Sequence, residues 1–367
     1  STAIAGLMAE KIKVLVVDDS ALVRKIITDI LESDPMMEVV GTANNGKSAI
    51  FKNQTLNPDV ITLDIEMPVL DGLQALQEII RTNPKPVIMM SVLTQHGADA
   101  TFKALEYGAV DFIPKPSSVL SLSVEDIAEL LISKIKAVYR SDIKFHVKEE
   151  DYENRPTETT IFEPVEETRA GPVALKKRES SKVIGIGTST GGPSALLKVF
   201  QNLPKDVPTP ILVVQHMPAG FTSAFAERLN NTCLMNIKEA VDSDELWPGW
   251  AYIAPGDKHM IVEKKKNKSI IRISEGEKVS GHRPSIDVLF NSIAETSKAD
   301  SLGVIMTGMG KDGSQGILKI HKTGGYTLAQ NEETSVVYGM NRVAVEIGGI
   351  REIVSLSEIA QRIVDNL

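Results

Sequence analysis

Short apolar runs alternate with helix-periodic stretches in the first third of the chain, and this alternation constrains the fold more than any other feature. Four runs have the length and composition of buried strands: KVLVV (13–17), EVVGTA (38–43), DVITL (59–63) and PVIMM (86–90). A helical stretch follows each run, and the last helix is predicted in SVEDIAELLISKIKAVY (123–139). Strands that alternate with helices form a doubly wound parallel sheet. Ligands of such sheets bind beyond the carboxyl ends of the strands.

Acidic side chains stand at those strand ends. Asp18 and Asp19 directly follow the first run, and Asp64 ends the third. Any one of them alone would be read as a helix N-cap or a solvated loop acid. Three carboxylates at adjacent strand ends would repel one another unless a cation lay among them, and oxygen ligands of this kind suit Mg²⁺. Ser91 ends the next strand and Lys115 follows a fifth, where both side chains can bind an anion.

These motifs together resemble the response-regulator receiver domain. The resemblance rests on VVDDS, LDIEMPVLDGL, the position of Ser91 and DFIPKP, and it covers residues 11–138. It implies a (βα)5 fold in which Asp64 accepts a phosphoryl group from a histidine kinase. It also implies Mg²⁺ at Asp18, Asp19 and Asp64, with Ser91 and Lys115 as the switch residues.

Residues 139–180 are predicted to form an acidic flexible linker. Within them, 149–169 hold eight acidic residues against two arginines and contain few apolar side chains. Such a composition cannot bury enough apolar surface to offset the entropy of ordering.

A glycine-rich turn opens the second domain, which is predicted over residues 181–367. SKVIGIGTSTGGPSALLKVF is typical of a strand, a turn and a helix. A dinucleotide-binding turn requires G-x-G-x-x-G, but Thr190 stands where the third glycine is needed. The segment 187–191 instead matches G-x-S-x-G, in which a tight turn lifts a serine hydroxyl clear of the sheet. Ser189 is therefore a candidate nucleophile, although this short match is weak by itself.

A serine nucleophile needs a base and an acid that orients the base. His216 follows the predicted strand PILVVQ, and Asp312 lies beyond the strand predicted in SLGVIMTGMGKDG. Both residues would be level with Ser189 if the strands are parallel. The order Ser, His, Asp differs from that of the α/β-hydrolase fold. The residues alone leave other bases and acids open: His259, His282 and His321, and Asp257 and Asp287.

The second half resembles the catalytic domain of the chemotaxis protein-glutamate methylesterases. The motifs are GIGTSTGG, VVQHMPAGFT, YIAPGDKHM, HRPSIDVLF and MTGMGKDG, and they span about residues 182–365. The resemblance implies a second doubly wound α/β domain with Ser189 as nucleophile, His216 as base and Asp312 as orienting acid. It further implies that Thr190 lies beside the nucleophile and that Met309 supplies a backbone N–H to the oxyanion hole.

The activity that the resemblance implies is phosphorylation-activated hydrolysis of glutamate methyl esters on the cytoplasmic helices of chemoreceptors, with deamidation of certain glutamines. The phosphodonor that it implies is the histidine kinase of the chemotaxis pathway. The products would be glutamate and methanol, and we expect no cofactor for the ester hydrolysis. A phosphorylation-switched binding module without catalysis is the alternative. It differs in predicting that Ser189 is a turn residue, unreactive toward serine-directed phosphonates.

Composition excludes several other classes. A net charge of -8 and a sequence pI of about 5.4 argue against nucleic-acid binding, and with it a DNA-binding response regulator. The single cysteine, Cys233, excludes an intrachain disulfide framework and fits a reducing compartment. No apolar run reaches the roughly 18 residues of a membrane span. We therefore expect a cytoplasmic protein that does not insert into membranes.

Overall fold

Two parallel sheets, one in each half of the chain, organise the structure. The computed structural model describes residues 10–116, 122–141, 143 and 182–367. Each sheet has helices on both faces, so the predicted pair of doubly wound α/β domains is confirmed. Residues 139 and 140 of the predicted linker belong to the last helix of the N-terminal domain, and most of the rest lies outside the described residues.

The N-terminal sheet has five parallel strands in the order β2-β1-β3-β4-β5. The order reverses between β1 and β3, which places a crevice for ligands at their carboxyl ends. Its strands are β1 (Ile12–Val17), β2 (Met37–Ala43), β3 (Val60–Asp64), β4 (Val87–Ser91) and β5 (Asp111–Pro114). Its helices are α1 (Ala21–Glu32), α2 (Gly46–Leu56), α3 (Gly72–Thr82), α4 (Gln95–Glu106) and α5 (Val124–Arg140).

Each of these five helices begins after a polar residue whose side chain accepts a hydrogen bond from a backbone N–H of the first turn. The residues are Ser20, Asn45, Asp71, Thr94 and Ser123. Such caps satisfy donors that the helix itself leaves unpaired. The caps fix where each helix starts and therefore the length of the loops at the carboxyl edge of the sheet.

The C-terminal sheet has seven parallel strands in the order β14-β13-β12-β6-β7-β9-β8, and β10 and β11 form a separate antiparallel hairpin. Its strands are β6 (Val183–Thr188), β7 (Ile211–Gln215), β8 (Asn236–Glu239), β9 (Trp250–Ile253), β10 (His259–Lys265), β11 (Lys268–Ser274), β12 (Ser301–Ile305), β13 (Tyr326–Gln330) and β14 (Glu352–Val354). Its helices are α6 (Gly192–Asn202), α7 (Phe221–Thr232), α8 (Ile286–Ser297), α9 (Ser314–Lys322), α10 (Met340–Glu346) and α11 (Ile359–Asp365).

Glycines in β6 bring helix α8 unusually close to the sheet. A Cβ added to Gly187 would meet Ile286 at 2.3 Å, and one added to Gly185 would meet Ile293 at 2.6 Å. Any side chain at either position would push the helix outward. The close packing places the N-terminus of α8 next to the carboxyl end of β6.

The two domains pack through an apolar interface. Two aromatic pairs cross it, with ring centroids 5.2 and 4.8 Å apart: Phe102 with Phe225, and Phe112 with Phe221. At its edge Arg228 pairs with Glu106 at 2.6 Å. The α4 and β5 side of the N-terminal domain therefore faces α7 of the C-terminal domain.

Among the described residues, every helix is too short or too polar to cross a bilayer.

Candidate active site

Ser189 occupies a tight turn between β6 and α6. Its backbone N–H donates to the Thr307 carbonyl at 3.0 Å, and its own carbonyl accepts from Gly192 at 2.8 Å. Gly191 has φ +79°, a left-handed conformation that favours glycine, and a Cβ there would meet Val336 at 2.6 Å. The turn predicted from G-x-S-x-G is present, and Ser189 is 5% exposed.

His216 and Asp312 meet at the same edge of the sheet. His216 follows β7, and its backbone N–H donates to the Thr188 carbonyl at 3.1 Å, which brings it level with the end of β6. Its Nε2 lies 2.7 Å from Asp312 Oδ2. Asp312 is fully buried and lies against the N-terminus of α8. Three further donors there bind its carboxylate: Ser285 Oγ at 2.8 Å and the backbone N–H groups of Ile286 at 2.7 Å and Asp287 at 3.0 Å.

These donors keep Asp312 ionised. Burial alone would raise the pKa of this carboxyl group, but the hydrogen bond and charge of His216 and the backbone N–H groups of Asp287 and Ile286 lower the pKa to about 2. Because Asp312 is an anion, it can only accept, and the His216 proton therefore resides on Nε2.

The other ring nitrogen of His216 is left free as a base. Nδ1 is buried and has no hydrogen-bond partner among the described residues. Among the described residues, the Ser189 hydroxyl also makes no hydrogen bond to His216. Bonds between nucleophile and base are often long in free enzymes and tighten when substrate binds. The roles predicted for Ser189, His216 and Asp312 stay predictions, but the structure places all three at one edge.

Three of the rival bases and acids have other partners. His259 is buried, with Nε2 at 2.8 Å from the Glu277 carbonyl and Nδ1 accepting from the Ser285 backbone at 3.2 Å. Asp257 pairs with Arg283 at 2.8 Å. On α8, the Asp287 carboxylate accepts from the Gly316 backbone at 2.7 Å. These contacts account for the three side chains without a catalytic role. His321 lies on α9, and its Nδ1 is buried without a hydrogen-bond partner among the described residues.

His282 is the rival closest to the site. Its ring stacks on that of His216, with centroids 3.8 Å apart and planes within 3° of parallel. Burial and the neighbouring charge of His216 lower the pKa of His282 to about 4, and Lys134 and Lys278 act in the same direction. His282 is thus neutral near pH 7 and supports the face of the His216 ring.

Two backbone N–H groups lie in segments next to the nucleophile. Thr190 follows Ser189, and the loop of Met309 runs beside it, since a Cβ on Gly308 would come within 2.7 Å of Ser189 Cβ. Within the described residues, neither the Thr190 nor the Met309 backbone N–H donates a hydrogen bond. Both are therefore available to an oxyanion, and the role predicted for Met309 stays a prediction.

The acidic residues of the N-terminal domain also come together. Lys115 Nζ lies 2.8 Å from Asp64 Oδ1 and 3.0 Å from Asp18 Oδ2. Burial raises the pKa of Asp64 to about 6, and the Asp18 charge adds to this, although Lys115 opposes both. The acidic cluster expected from the positions of these residues at strand ends is present at the carboxyl edge of β1 and β3.

The donor set of this cluster fits a Mg²⁺ ion. Asp18, Asp19 and Asp64 each offer an oxygen, and these oxygens lie within 4.8 Å of one another. Asp64 Oδ2 is buried without a hydrogen-bond partner among the described residues. Burying an unpaired carboxylate oxygen costs free energy unless a bound ligand contacts it. An all-oxygen set with few protein ligands is what Mg²⁺ prefers.

Ser91 is engaged away from the acids. Its hydroxyl accepts from Thr101 Oγ1 at 2.6 Å and lies 3.3 Å from the Gly97 carbonyl, both on α4. A shift of this hydroxyl toward Asp64 would therefore disturb helix α4.

Sequence reasoning missed one contact between the domains. Asp111, at the start of β5, is buried and bound by Lys134 of α5, and it accepts from Thr190 Oγ1 at 3.0 Å. The residue beside the candidate nucleophile is thus held by the N-terminal domain. The motif DFIPKP includes Asp111, but nothing in the local pattern indicates a partner 79 residues away.

Comparisons with known proteins match both halves of the chain. A family model described as CheB methylesterase matches residues 184–363, and one described as response regulator receiver domain matches 14–124. A protein-glutamate methylesterase/protein-glutamine glutaminase of Halalkalibacterium halodurans is 46% identical over 357 residues, 97% of this chain and 99% of that protein. The chain belongs to the CheB methylesterase family.

Other CheB relatives extend the match. A relative of the same description from Pyrococcus horikoshii is 44% identical over 98% of this chain and 94% of its own length. The crystal structure of the Thermotoga maritima CheB methylesterase catalytic domain aligns with a TM-score of 0.51 and 40% identity, covering 51% of this chain and all of that one. The resemblance to receiver and methylesterase domains is confirmed, and the chain is a methylesterase of the chemotaxis type.

Proposed function

We propose that the chain hydrolyses methyl esters of glutamate side chains on the cytoplasmic helices of chemoreceptors, under control of phosphorylation at Asp64. The observation that carries the proposal is the 2.7 Å contact between His216 Nε2 and Asp312, beside a serine held on a tight turn. Relatives similar over nearly their full length are described as protein-glutamate methylesterases, which supports the choice of substrate.

The first step is proton transfer from Ser189 to His216. Since Asp312 holds the proton on Nε2, the lone pair of Nδ1 accepts the hydroxyl proton while Oγ attacks the ester carbonyl carbon. The anionic Asp312 then stabilises the imidazolium ion that forms. The stacked His282 ring keeps the imidazole in its plane during this transfer.

The tetrahedral intermediate carries a negative oxygen. The backbone N–H groups of Thr190 and Met309 are the donors for that oxygen, and in a buried site such donors need no reorganisation when charge develops. Removing one oxyanion donor in a hydrolase typically costs about 10²–10³ in kcat.

Collapse of the intermediate releases methanol, which takes its proton from His216 Nδ1. A water molecule then gives a proton to the same nitrogen and attacks the acyl-enzyme, leaving a free glutamate side chain and Ser189. A glutamine side chain can form the same acyl-enzyme with ammonia as the leaving group, which accounts for deamidation.

The receiver domain supplies the control. Asp64 takes a phosphoryl group from the kinase of the pathway, and a Mg²⁺ ion held by Asp18, Asp19 and Asp64 would neutralise charge in that transfer. Lys115 already contacts Asp64 at 2.8 Å and would pair with the phosphoryl oxygens.

Phosphorylation is linked to the interface through α4. A phosphoryl group at Asp64 attracts the Ser91 hydroxyl, which then releases its contacts with Thr101 and Gly97. Phe102 and Glu106 lie on the same helix and contact the catalytic domain. Movement of α4 therefore weakens the contacts that hold the receiver against α7.

Methanol release from methylated receptor tests the proposal, measured with and without a small phosphodonor. The wild-type chain should be slow alone and faster with phosphodonor, Asp64→Asn should stay slow in both, and Ser189→Ala should lose several orders of magnitude. Near wild-type release by folded Ser189→Ala would contradict the esterase assignment and favour a binding module. Activation of Asp64→Asn by the phosphodonor would contradict the control mechanism alone.

A further inference from the structure

The docked receiver leaves a cavity in front of the nucleophile. Its volume is about 220 Å³, and both domains line it. The receiver contributes Leu130 and Ser133 of α5, and the catalytic domain contributes Ser189, His216 and Met309. The attacking serine, its base and the loop of an oxyanion donor thus all line the same cavity.

The cavity opens to solvent at one rim. Asp257, Lys278 and Gly281 line it and are themselves exposed. A small molecule therefore has a route to Ser189 that does not require the domains to separate.

The volume decides what can enter. A cavity of about 150 Å³ binds benzene, which has six non-hydrogen atoms. A methylated glutamate side chain beyond Cα also has six, so a space of 220 Å³ accepts an ester group of this size. A receptor helix, about 10–12 Å across with its side chains, is far too large to enter with it.

The lining also sets the chemistry of the ligand. Most of the surface is apolar, and the Lys134 ammonium is bound by Asp111. The Arg283 guanidinium pairs with Asp257 at 2.8 Å. A small neutral carboxylic ester fits these surroundings better than an anion, for which the lining provides no unpaired buried cation within the described residues.

We propose that the docked receiver selects substrates by size, so that the resting chain hydrolyses small neutral esters at Ser189 and excludes receptor-borne esters. The inference rests on the esterase proposed above. Ser189 Oγ bonds to the acyl carbon, the bond to the alcohol oxygen breaks, and the alcohol leaves with the proton carried by His216. Water then hydrolyses the acyl-enzyme to a carboxylic acid and restores the serine.

The test compares two substrates with the full-length chain. The small ester is methyl propionate, which has the six non-hydrogen atoms of the methylated side chain, and methanol release is followed for it and for methylated receptor in separate reactions, each with and without phosphodonor. We expect phosphodonor to raise receptor hydrolysis by about tenfold or more and methyl propionate hydrolysis by less than about threefold. Equal stimulation of both substrates would overturn the size inference.

Filling the cavity from the receiver side provides a second measurement. Leu130→Trp should reduce methyl propionate hydrolysis by the resting chain by about tenfold, and phosphodonor should restore the rate. Glu129→Trp is the matched control, because Glu129 lies exposed on the same helix outside the cavity lining, and it should keep the wild-type rate. Leu130→Trp with an unchanged resting rate would show that the small ester reaches Ser189 by another route.

The two proposals fail in different ways. If Ser189→Ala abolishes receptor hydrolysis but both substrates are stimulated equally, only the size selection is wrong. If Ser189→Ala retains receptor hydrolysis, the proposed function itself is wrong.

Discussion

Replacing Asp312 with Asn should separate the catalytic role of this carboxylate from its structural role. The carboxylate accepts four hydrogen bonds, two on each oxygen, from His216, Ser285 Oγ and the backbone N–H groups of Ile286 and Asp287. An asparagine side chain has a single acceptor oxygen and must direct its NH₂ group at two of these donors.

Both orientations of the asparagine damage the site. With NH₂ toward His216, the imidazole has to accept on Nε2, and its proton moves to Nδ1, where the base is needed. With the carbonyl toward His216, the tautomer survives but the negative charge that stabilises imidazolium is lost. We expect kcat to fall by about 10³–10⁴, the scale seen for this change in serine–histidine–acid relays.

The cost in stability is smaller. In either orientation one buried backbone N–H, of Ile286 or Asp287, faces an NH₂ group, which costs about 1–3 kcal/mol in the free energy of unfolding. Ser285→Ala is the matched control. It removes one donor to Asp312 and the N-cap of α8, at a comparable cost of about 1–2 kcal/mol, and it leaves the carboxylate and His216 unchanged.

The assays are methanol release from methylated receptor and urea unfolding of both variants. The expected pattern is a similar loss of stability, with activity lost only in Asp312→Asn and changed by less than about fivefold in Ser285→Ala. If Asp312→Asn kept its turnover within tenfold of wild type, or if Ser285→Ala lost as much activity, tautomer and charge control by Asp312 would be refuted.

Three further predictions concern the cation, the interface and pH. EDTA should stop phosphoryl uptake from a small phosphodonor and leave the resting methanol release unchanged; equal loss of both would place the metal in the wrong domain. Arg228→Ala removes the interdomain pair with Glu106 and should raise resting methanol release by up to about fivefold, whereas Arg342→Ala, which breaks a pair with Glu346 inside the catalytic domain, should not. Because the folded-state pKa of Asp312 is lowered to about 2, its stabilising contribution is fully present above about pH 4 and is lost toward pH 2. The difference in unfolding free energy between wild type and Asp312→Asn should therefore become smaller as the pH falls from about 4 to about 2. A constant difference would contradict the lowered pKa of Asp312.

The active site and the acidic cluster are predictable from the sequence because their residues come after predicted strands. Ser189, His216 and Asp312 are far apart in the chain, yet each follows a strand, and parallel strands bring their carboxyl ends to one edge. The same argument places Asp18 and Asp64 together. Each of these residues closely follows a short apolar run except Asp312, which lies beyond the glycine-rich turn after β12.

Two kinds of contact are not predictable from the sequence: those made by backbone N–H groups and those that form when the two domains dock. The N–H groups that hold Asp312 belong to Ile286 and Asp287, and a backbone donor leaves no trace in residue type. The contact of Thr190 with Asp111 depends on how two separate domains meet, which no periodicity records. The stacking of His282 on His216 likewise requires the position of a loop that local patterns do not fix.

The contact between Asp111 and Thr190 limits how freely the two domains can be exchanged. A receiver from another member of the family would have to present a carboxylate at the same place, supported by a buried lysine like Lys134. Without that pair, a hybrid protein would leave the Thr190 hydroxyl unbound beside the nucleophile. The two domains fold separately, but this contact requires complementary residues on both of them. We therefore expect a receiver from another protein to inhibit this hydrolase weakly until the carboxylate and lysine pair is restored.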